Sequence, residues 1–191
     1  MSRSIHINYA YIRLSVAVIG LLSFFSGYAQ SRVSSHASAI SQSFAMDHRH
    51  NPYYSRTDTT TLHVSDAEWK KILPPEVYRV AREKGTEPPF HNQFWNFNGK
   101  GTYYCAVCGN ALFRSDAKFA SSCGWPSFFE PIRKNSVIYK PDHSFGMERT
   151  EVICARCGSH LGHVFEDGPP PTGLRYCMNS IVLEFVPDSK P

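Results

Sequence analysis

Four of the six cysteines in the chain form two pairs with Cys-X-X-Cys spacing, and a glycine follows each pair directly. The pairs are Cys105/Cys108 and Cys154/Cys157. The glycine permits a tight turn in which backbone N–H groups point at the sulfurs, and two such turns offer the four thiolates that tetrahedral Zn²⁺ prefers. Because four protein ligands leave no open coordination position, the pattern predicts one structural Zn²⁺ that joins two distant parts of the chain.

Disulfides are the alternative explanation of the cysteines. An exported protein with six cysteines could form three disulfides. A disulfide inside a Cys-X-X-Cys pair, however, is typical of reactive oxidoreductase sites and is rarely a structural link. The repeated pair with its glycine therefore favours the metal, and it leaves Cys123 and Cys177 for other chemistry.

The two remaining cysteines have neighbours that suit redox chemistry. Arg175 lies two residues before Cys177, and a positive charge near a sulfur favours the thiolate. Asn179 shares a face with Cys177 in an extended strand, so its amide could bind a group that the sulfur holds. Cys123 begins a Cys-Gly-Trp-Pro turn in which Trp125 presents an apolar wall suited to a methyl–sulfur group. The plainer alternative is that both cysteines are small buried residues.

Two histidines, His160 and His163, follow the second cysteine pair closely. They could be zinc ligands, although four cysteines already complete the coordination shell. They could also be ordinary surface histidines. The interpretation that we favour is a general acid/base role beside Cys177, because imidazole titrates near neutral pH.

The N-terminus has the pattern of an export signal. Arg3 and Arg13 precede an apolar run from Leu14 to Phe25, and small residues lead up to Ala29. We predict a signal peptide over 1–29, with an uncleaved N-terminal anchor as the alternative. The domain would then lie in the periplasm or be secreted, without membrane contact once the signal is cleaved.

The rest of the chain divides into a linker, 30–62, and one domain, 63–188. The linker is rich in Ser, Thr, His and Arg and is predicted to be flexible; its scattered histidines favour solvation over metal binding. A hydrophobic content of 42% suffices for a core, and a net charge of +4 gives little support for a nucleic-acid partner.

The predicted fold class is mainly β, with two short N-terminal helices packed on small antiparallel sheets. Ser65 is an N-cap for a helix that ends near Leu73, and a second helix runs from Pro75 to Glu83. Short β-branched and aromatic runs between Gly, Pro, Asn and Asp predict strands at Gly101–Cys105, Val137–Lys140, Thr150–Cys154, His163–Glu166 and Ser180–Val186.

From Gly85 to Phe185 the sequence resembles the methionine-R-sulfoxide reductases (the MsrB family). The resemblance covers more than half of the chain in order, and several independent motifs carry it. They are Gly85-Thr86-Glu87-Pro88-Pro89-Phe90, the two cysteine pairs, Ser122-Cys123-Gly124-Trp125-Pro126-Ser127-Phe128, Gly158-Ser159-His160-Leu161-Gly162-His163-Val164-Phe165 and Arg175-Tyr176-Cys177-Met178-Asn179-Ser180. The segment 91–95 departs from the family pattern, so the resemblance predicts no contacts there.

The resemblance implies a complete set of roles. Cys177 matches the nucleophile that becomes a sulfenic acid, and Cys123 matches the resolving cysteine that forms a disulfide with it. The implied substrate is methionine-R-sulfoxide in oxidised proteins or peptides, and the implied reductant is thioredoxin-like. The other implied residues are the active-site groups His163, Asn179 and His160, the substrate-binding residues Trp125, Phe165 and Arg175, and the four zinc ligands Cys105, Cys108, Cys154 and Cys157.

Two rival functions remain open at this point. A non-enzymatic zinc module would explain both cysteine pairs, and a secreted scaffold with three disulfides would explain the cysteine count. Neither accounts for the surroundings of Cys123 and Cys177.

Overall fold

The computed structural model describes residues 46–189, so the predicted signal peptide, 1–29, and the first part of the predicted linker lie outside the described residues. The prediction of a mainly β fold with two antiparallel sheets and two helices is confirmed. Among the described residues, no helix is long and apolar enough to cross a membrane. The strands are β1 (Gly101–Cys105), β2 (Ala111–Arg114), β3 (Lys118–Phe119), β4 (Ser127–Phe128), β5 (Val137–Asp142), β6 (Arg149–Cys154), β7 (His160–Phe165), β8 (Arg175–Met178) and β9 (Leu183–Pro187).

Two short helices precede the sheets. Helix α1 (Asp66–Ile72) begins where predicted, because the Ser65 hydroxyl accepts a hydrogen bond from the Glu68 backbone N–H at 3.3 Å. Helix α2 (Pro75–Ala81) is two residues shorter than predicted. The buried residues of both helices, including the fully buried Trp69, belong to the core cluster of the domain.

The strands form a small sheet in the order β2-β1-β9 and a large sheet in the order β3-β4-β8-β7-β6-β5. All five predicted strand segments contain a strand, although Ser180–Val182 forms a 3-10 turn before β9. Strands β2, β3, β4 and β8 were not predicted. Each has at most four residues, so its hydrophobic pattern is too short to stand out, and pairing with neighbouring strands stabilises it.

Aromatic side chains fill much of the core. Phe113 of the small sheet stacks on Phe128 of the large sheet with ring centroids 4.4 Å apart. Tyr103 meets the same Phe128 ring edge-on at 5.0 Å. All three are fully buried. These contacts fasten the two sheets together and fix the position of β4, which lies beside β8.

The described part of the predicted linker, 46–62, makes specific contacts with the domain. The buried Asn51 donates from Nδ2 to the Val107 carbonyl at 2.8 Å, and the Ser55 backbone N–H donates to the Cys108 carbonyl at 3.0 Å. The Leu62 backbone N–H donates to the Arg156 carbonyl at 2.7 Å. We call residues 46–62 the strap, because it contacts both cysteine turns. The polar composition of the segment predicts that water solvates it, whereas backbone and side-chain N–H groups of the strap donate to the carbonyls of those turns.

Asn51→Ala should destabilise the domain by about 1–3 kcal/mol, because it leaves the Val107 carbonyl without its partner. Urea unfolding monitored by tryptophan fluorescence measures this. Asn96→Ala, at an exposed site, is the matched control and should change the free energy of unfolding by less than about 0.5 kcal/mol. Equal stability of the two variants would show that the strap adds nothing to the fold.

Candidate active site and metal centre

The four paired cysteines converge on one buried point. Their Sγ atoms all lie within 4.8 Å of one another, and the Sγ atoms of Cys105 and Cys157, like those of Cys108 and Cys154, are 3.7 Å apart. Four sulfurs at about 2.3 Å from a tetrahedral Zn²⁺ would be separated by about 3.8 Å, whereas a disulfide requires about 2.05 Å. The cluster therefore has the donors and the spacing for a metal ion and contains no disulfide.

Glycines shape both cysteine turns as the sequence predicts. Gly109 has φ 80° and Gly158 has φ 71°, in the left-handed region that other residues avoid. Their backbone N–H groups donate to the Cys105 and Cys154 carbonyls at 2.8 and 2.9 Å. A Cβ on Gly109 would also lie 2.5 Å from the Ser55 carbonyl oxygen, so the strap itself requires glycine there.

Arg156 connects the two turns to the strap. This buried guanidinium, which lies between Cys154 and Cys157 in sequence, donates to the Cys108 carbonyl and to the Tyr53 carbonyl, the latter at 2.9 Å. It also bonds to the Asp58 carboxylate at 2.8 Å. A single side chain thus ties the second turn to the first and to the strap.

The two other cysteines meet at the centre of the large sheet. Cys177 of β8 pairs with Ser127 of β4, and its Sγ lies 3.6 Å from the Cys123 Sγ. Both residues are half-buried. The Cys123 sulfur also lies 3.4 Å from the Ser127 hydroxyl. The structure therefore brings together the two cysteines that the sequence assigns to redox chemistry, at a distance from which a small movement forms a disulfide.

The two sulfurs titrate as a pair. A hydrogen bond from Cys177 lowers the pKa of Cys123 to about 4, and the same bond together with burial raises the pKa of Cys177. One proton thus leaves the pair readily and the second is retained. The positive charge of Arg175 acts in the opposite sense on Cys177 and favours its thiolate. The pair therefore holds one negative charge that the S–H···S contact can pass from one sulfur to the other.

His163 lies beside this pair. It is the cross-strand partner of Cys177, and directly paired residues share one face of a sheet. Its Nε2 is 2.7 Å from the Asp142 carboxylate, which also accepts from Arg149 at 2.8 Å. Hydrogen bonds from Ser144, together with His163 and Arg149, hold the pKa of Asp142 well below its usual range. A permanently ionised carboxylate therefore orients the imidazole.

His160 reaches the same face through a β-bulge. In the pairing of β6 with β7, Val152 faces Gly162 and the next residue faces His160, so Leu161 is the extra residue. The rings of His160 and His163 consequently lie 5.4 Å apart. His160 is buried and bonds through Nδ1 to a carboxylate of β6, and burial lowers its pKa. Neither histidine belongs to the four-cysteine cluster, so the zinc-ligand alternative is not supported.

An open cavity of about 130 Å³ adjoins Cys177. A cavity of that volume has room for a small side chain or for several water molecules. Cys177 lines it, whereas Cys123 is not among its lining residues in the described part of the chain. The other predicted site residues that line it are Trp125, His163, Phe165 and Asn179, and the lining residues that the sequence analysis did not assign to the site are Thr86, Arg149, Gly162 and Met178.

Trp125 and Asn179 are held by one segment. The indole N–H of Trp125 donates to the Glu87 carbonyl at 3.2 Å, and the Asn179 Oδ1 accepts from the Thr86 hydroxyl and from the Glu87 N–H, each at 3.0 Å. The buried Glu87 carboxylate accepts from Asn92 at 2.6 Å, so the segment that departs from the family pattern supplies a contact of its own. Asn179 Nδ2 donates to the Leu161 carbonyl, which leaves one amide N–H for a ligand.

Arg175 and Phe165 form the outer part of the site. They are cross-strand partners, and the guanidinium carbon lies 4.5 Å above the Phe165 ring. Both Nε and Nη2 of Arg175 bond to Asp167 at 2.8 Å. The guanidinium is thereby fixed near the sulfur pair, although only Phe165 lines the cavity.

Two carboxylates of the site, Asp142 and Glu151, were not predicted. Nothing in the sequence near either residue marks it, since each reaches its histidine only through strand pairing. A role for Glu87 could have been predicted, because this residue lies inside the Gly85–Phe90 motif that carries the family resemblance.

A mainly β domain with two adjacent cysteines, an oriented histidine, a small open cavity and a four-cysteine metal cluster has the construction of a thiol-dependent oxidoreductase. A sequence model of the SelR domain matches residues 73–187, and the chain belongs to the SelR domain family.

Relatives support this membership. Proteins named peptide methionine sulfoxide reductase MsrB from Acinetobacter baylyi, Agrobacterium fabrum and Leptospira interrogans are 53%, 55% and 56% identical to the chain. The matches cover 68%, 64% and 63% of this chain and 93%, 91% and 92% of those proteins. The domain thus corresponds to nearly the whole of each relative.

A metal ion in the four-cysteine cluster would supply the charge that holds the buried thiolates together, so its removal should destabilise the domain strongly. Cys154→Ser should retain no stoichiometric metal and should melt more than about 10 °C lower. Elemental analysis and a thermal melt measure both effects. Cys123→Ser, outside the cluster, is the control and should keep its metal; full metal content in Cys154→Ser would contradict the assignment.

The sulfur pair should react as a thiolate well below the usual range of cysteine. Alkylation of the reduced protein by iodoacetamide should stay fast as the pH falls toward about 4, whereas an ordinary thiol loses reactivity below a pKa of about 8.5. Cys177→Ala removes the hydrogen bond to Cys123, so the alkylation of Cys123 should begin to slow at a higher pH in this variant. Identical profiles for the two proteins would show that the cysteines do not share a proton.

Proposed function

We propose that the Cys123–Cys177 pair reduces methionine-R-sulfoxide, mainly in proteins and peptides, to methionine. The chain is an enzyme of the methionine sulfoxide reductase class, as its family membership and its relatives indicate. The observation that carries the mechanism is the placement of the two sulfurs. Cys177 lines the cavity, and Cys123 lies 3.6 Å from it with a hydrogen bond between them.

The first step is attack by the Cys177 thiolate on the sulfoxide sulfur. The Cys177 thiolate forms when the thiol loses its proton, which the Cys123 sulfur accepts in the wild-type protein, and the Arg175 charge favours the thiolate. His163, oriented by Asp142, donates a proton to the sulfoxide oxygen. The oxygen then leaves the substrate for Cys177, so methionine is released and Cys177 becomes a sulfenic acid.

The second step closes the disulfide. The Cys123 sulfur attacks the Cys177 sulfenic acid, the Cys123–Cys177 bond forms, and the oxygen leaves as water. The two electrons that reduced the sulfoxide have then come from the two cysteine sulfurs. One proton of the water came from His163 and the other from Cys123, and a proton from solvent restores His163. A thioredoxin-like dithiol restores the pair by thiol–disulfide exchange.

Selectivity for the R epimer follows from the walls of the cavity. Trp125 and Phe165 offer aromatic surfaces for the methyl group, and His163 offers a polar group for the oxygen. Once the sulfoxide sulfur faces Cys177, only one arrangement of methyl and oxygen satisfies both sides. The hydrogen bond from Trp125 to Glu87 keeps the indole wall in place.

The four-cysteine cluster suits one structural Zn²⁺. Its four cysteine sulfurs lie within 4.8 Å of one another, and together they supply the four thiolates that tetrahedral Zn²⁺ prefers. Bound zinc would supply the charge that keeps the four buried thiolates ionised, and it would hold the ends of β1 and β6 together. The reaction itself proceeds on Cys177 and Cys123.

We also propose that the domain works outside the cytoplasm, in the periplasm or as a secreted protein. The N-terminal pattern of two arginines, an apolar run and small residues before Ala29 supports cleavage after residue 29. Protein repair during oxidative stress is the corresponding role, since methionine is a common site of oxidation.

The two cysteine variants should separate the two steps. Cys177→Ser should abolish methionine formation, because no other sulfur lines the cavity in the described residues apart from the thioether of Met178. Cys123→Ser should release one equivalent of methionine per chain and then stop when thioredoxin is the only reductant. Amino-acid analysis of single-turnover reactions measures both.

Full activity in Cys177→Ser would contradict the assignment of the nucleophile. Normal turnover of Cys123→Ser with thioredoxin would show that another thiol, or the donor itself, resolves the sulfenic acid. A folded, metal-loaded wild-type protein without activity would favour the non-enzymatic zinc module.

A further inference from the structure

Glu151 is a buried carboxylate on the catalytic face of the large sheet. Its cross-strand partner in β7 is His163, whose partner in β8 is Cys177, so the three residues stand in one row. Paired residues share a face, which places Glu151 on the same side as the reacting sulfur. Only 1% of Glu151 is exposed. A charged group in such a position is costly unless it has partners, so its partners define its role.

The carboxylate has two partners with different surroundings. Oε1 lies 2.8 Å from Nδ1 of the buried His160, and Oε2 accepts from Nζ of Lys84 at 2.8 Å. The Lys84 side chain is 62% exposed. Burial opposes the ionisation of Glu151, but the bonds from Lys84 and His160 outweigh it and lower its pKa. Glu151 is therefore an anion that connects a buried imidazole with a solvated ammonium group.

The fold constrains this connection from both sides. On one side, the bulge at Leu161 turns His160 toward His163. Only glycine fits at position 162, because a Cβ there would lie 2.1 Å from the Cys177 carbonyl oxygen. On the other side, Lys84 has φ 55°, a conformation that is unfavourable for a residue with a side chain. The mechanism proposed above uses neither Glu151 nor Lys84.

We propose that Glu151, neutralised by Lys84, is the positioning residue for His160. It holds the imidazole with Nδ1 protonated, so that Nε2 is the nitrogen that accepts and returns a proton beside His163 during sulfoxide reduction. This inference rests on the proposed function and deepens it. The overall balance is unchanged, because His163 supplies one proton of the released water and Cys123 the other, and any proton that His160 accepts it also returns.

The groups that face His160 are Glu151, Lys84 and His163, and His163 in turn contacts Asp142. Among them Glu151 alone both contacts His160 and is buried, so it controls the proton affinity of the imidazole most directly. Its charge raises that affinity, and its removal should lower it.

The test is Glu151→Gln in a Cys123→Ser background, in which single-turnover methionine release reports the first step alone. Glutamine retains an oxygen that can accept from Nδ1 but carries no charge. The rate should fall about tenfold to hundredfold, because a misplaced acid/base group loses about that much. The acid limb of the rate against pH should also move to lower pH. Metal content and circular dichroism confirm that the variant is folded.

Two lysine variants complete the design. Lys84→Met should reduce the rate in the same direction but less, and its effect should not add to that of Glu151→Gln, because the two residues act as one pair. Lys71→Met removes an exposed lysine of α1 as the control and should change nothing. The lysine variants keep the test available should Glu151→Gln fail to fold.

A folded Glu151→Gln protein with the wild-type rate and pH profile would overturn the inference. A lower rate with an unshifted profile would also overturn it, because that result indicates a structural role only. If Glu151→Gln does not fold, an unshifted pH profile in Lys84→Met has the same meaning. Failure of the Cys123→Ser protein to release methionine at all would instead contradict the proposed function.

Discussion

The rest of the structure depends on the closure of the four-cysteine cluster. Cys105 ends β1 in the small sheet and Cys154 ends β6 in the large sheet, so ligation at one point joins the two sheets. The strap and Arg156 bond to the carbonyls of the same turns and close the cluster from outside. Strand β7 leaves this fixed point and carries both histidines within its six residues. A metal ion at this cluster would therefore determine where the two histidines lie without touching the cavity.

Strand register then assembles the site from residues that are distant in sequence. Ser127, Cys177, His163 and Glu151 form one row across four neighbouring strands, and the bulge at Leu161 adds His160 to it. A shift of one residue in any of these strands would turn its side chain to the opposite face. The buried carboxylates fix the remaining freedom of the site, because Asp142 and Glu151 orient the imidazoles and Glu87 holds the backbone after Asn179.

The sequence was informative where chemistry is local. The cysteine spacing, the glycines after each pair, the Ser65 cap and the surroundings of Cys177 predicted the metal cluster, the first helix and the centre of the site. It was uninformative where strands of two to four residues are stabilised only by their neighbours, as with β4 and β8. The roles of Asp142 and Glu151 had no local signal, because each depends on pairing across β6. The polar composition of the strap predicts a flexible, solvated linker, whereas Asn51 and Ser55 donate hydrogen bonds to carbonyls of the first cysteine turn.

The proposed reaction places the methyl group of the sulfoxide against Trp125 and Phe165 and its oxygen toward His163 in one small cavity, where the Cys177 thiolate attacks the sulfur. The most direct measurement incubates the reduced, metal-loaded protein with each separated epimer of N-acetyl-methionine sulfoxide and dithiothreitol, and quantifies the reduced product. We expect reduction of the R epimer alone, with loss of all activity in Cys177→Ser. Equal reduction of both epimers, or of the S epimer alone, would contradict it.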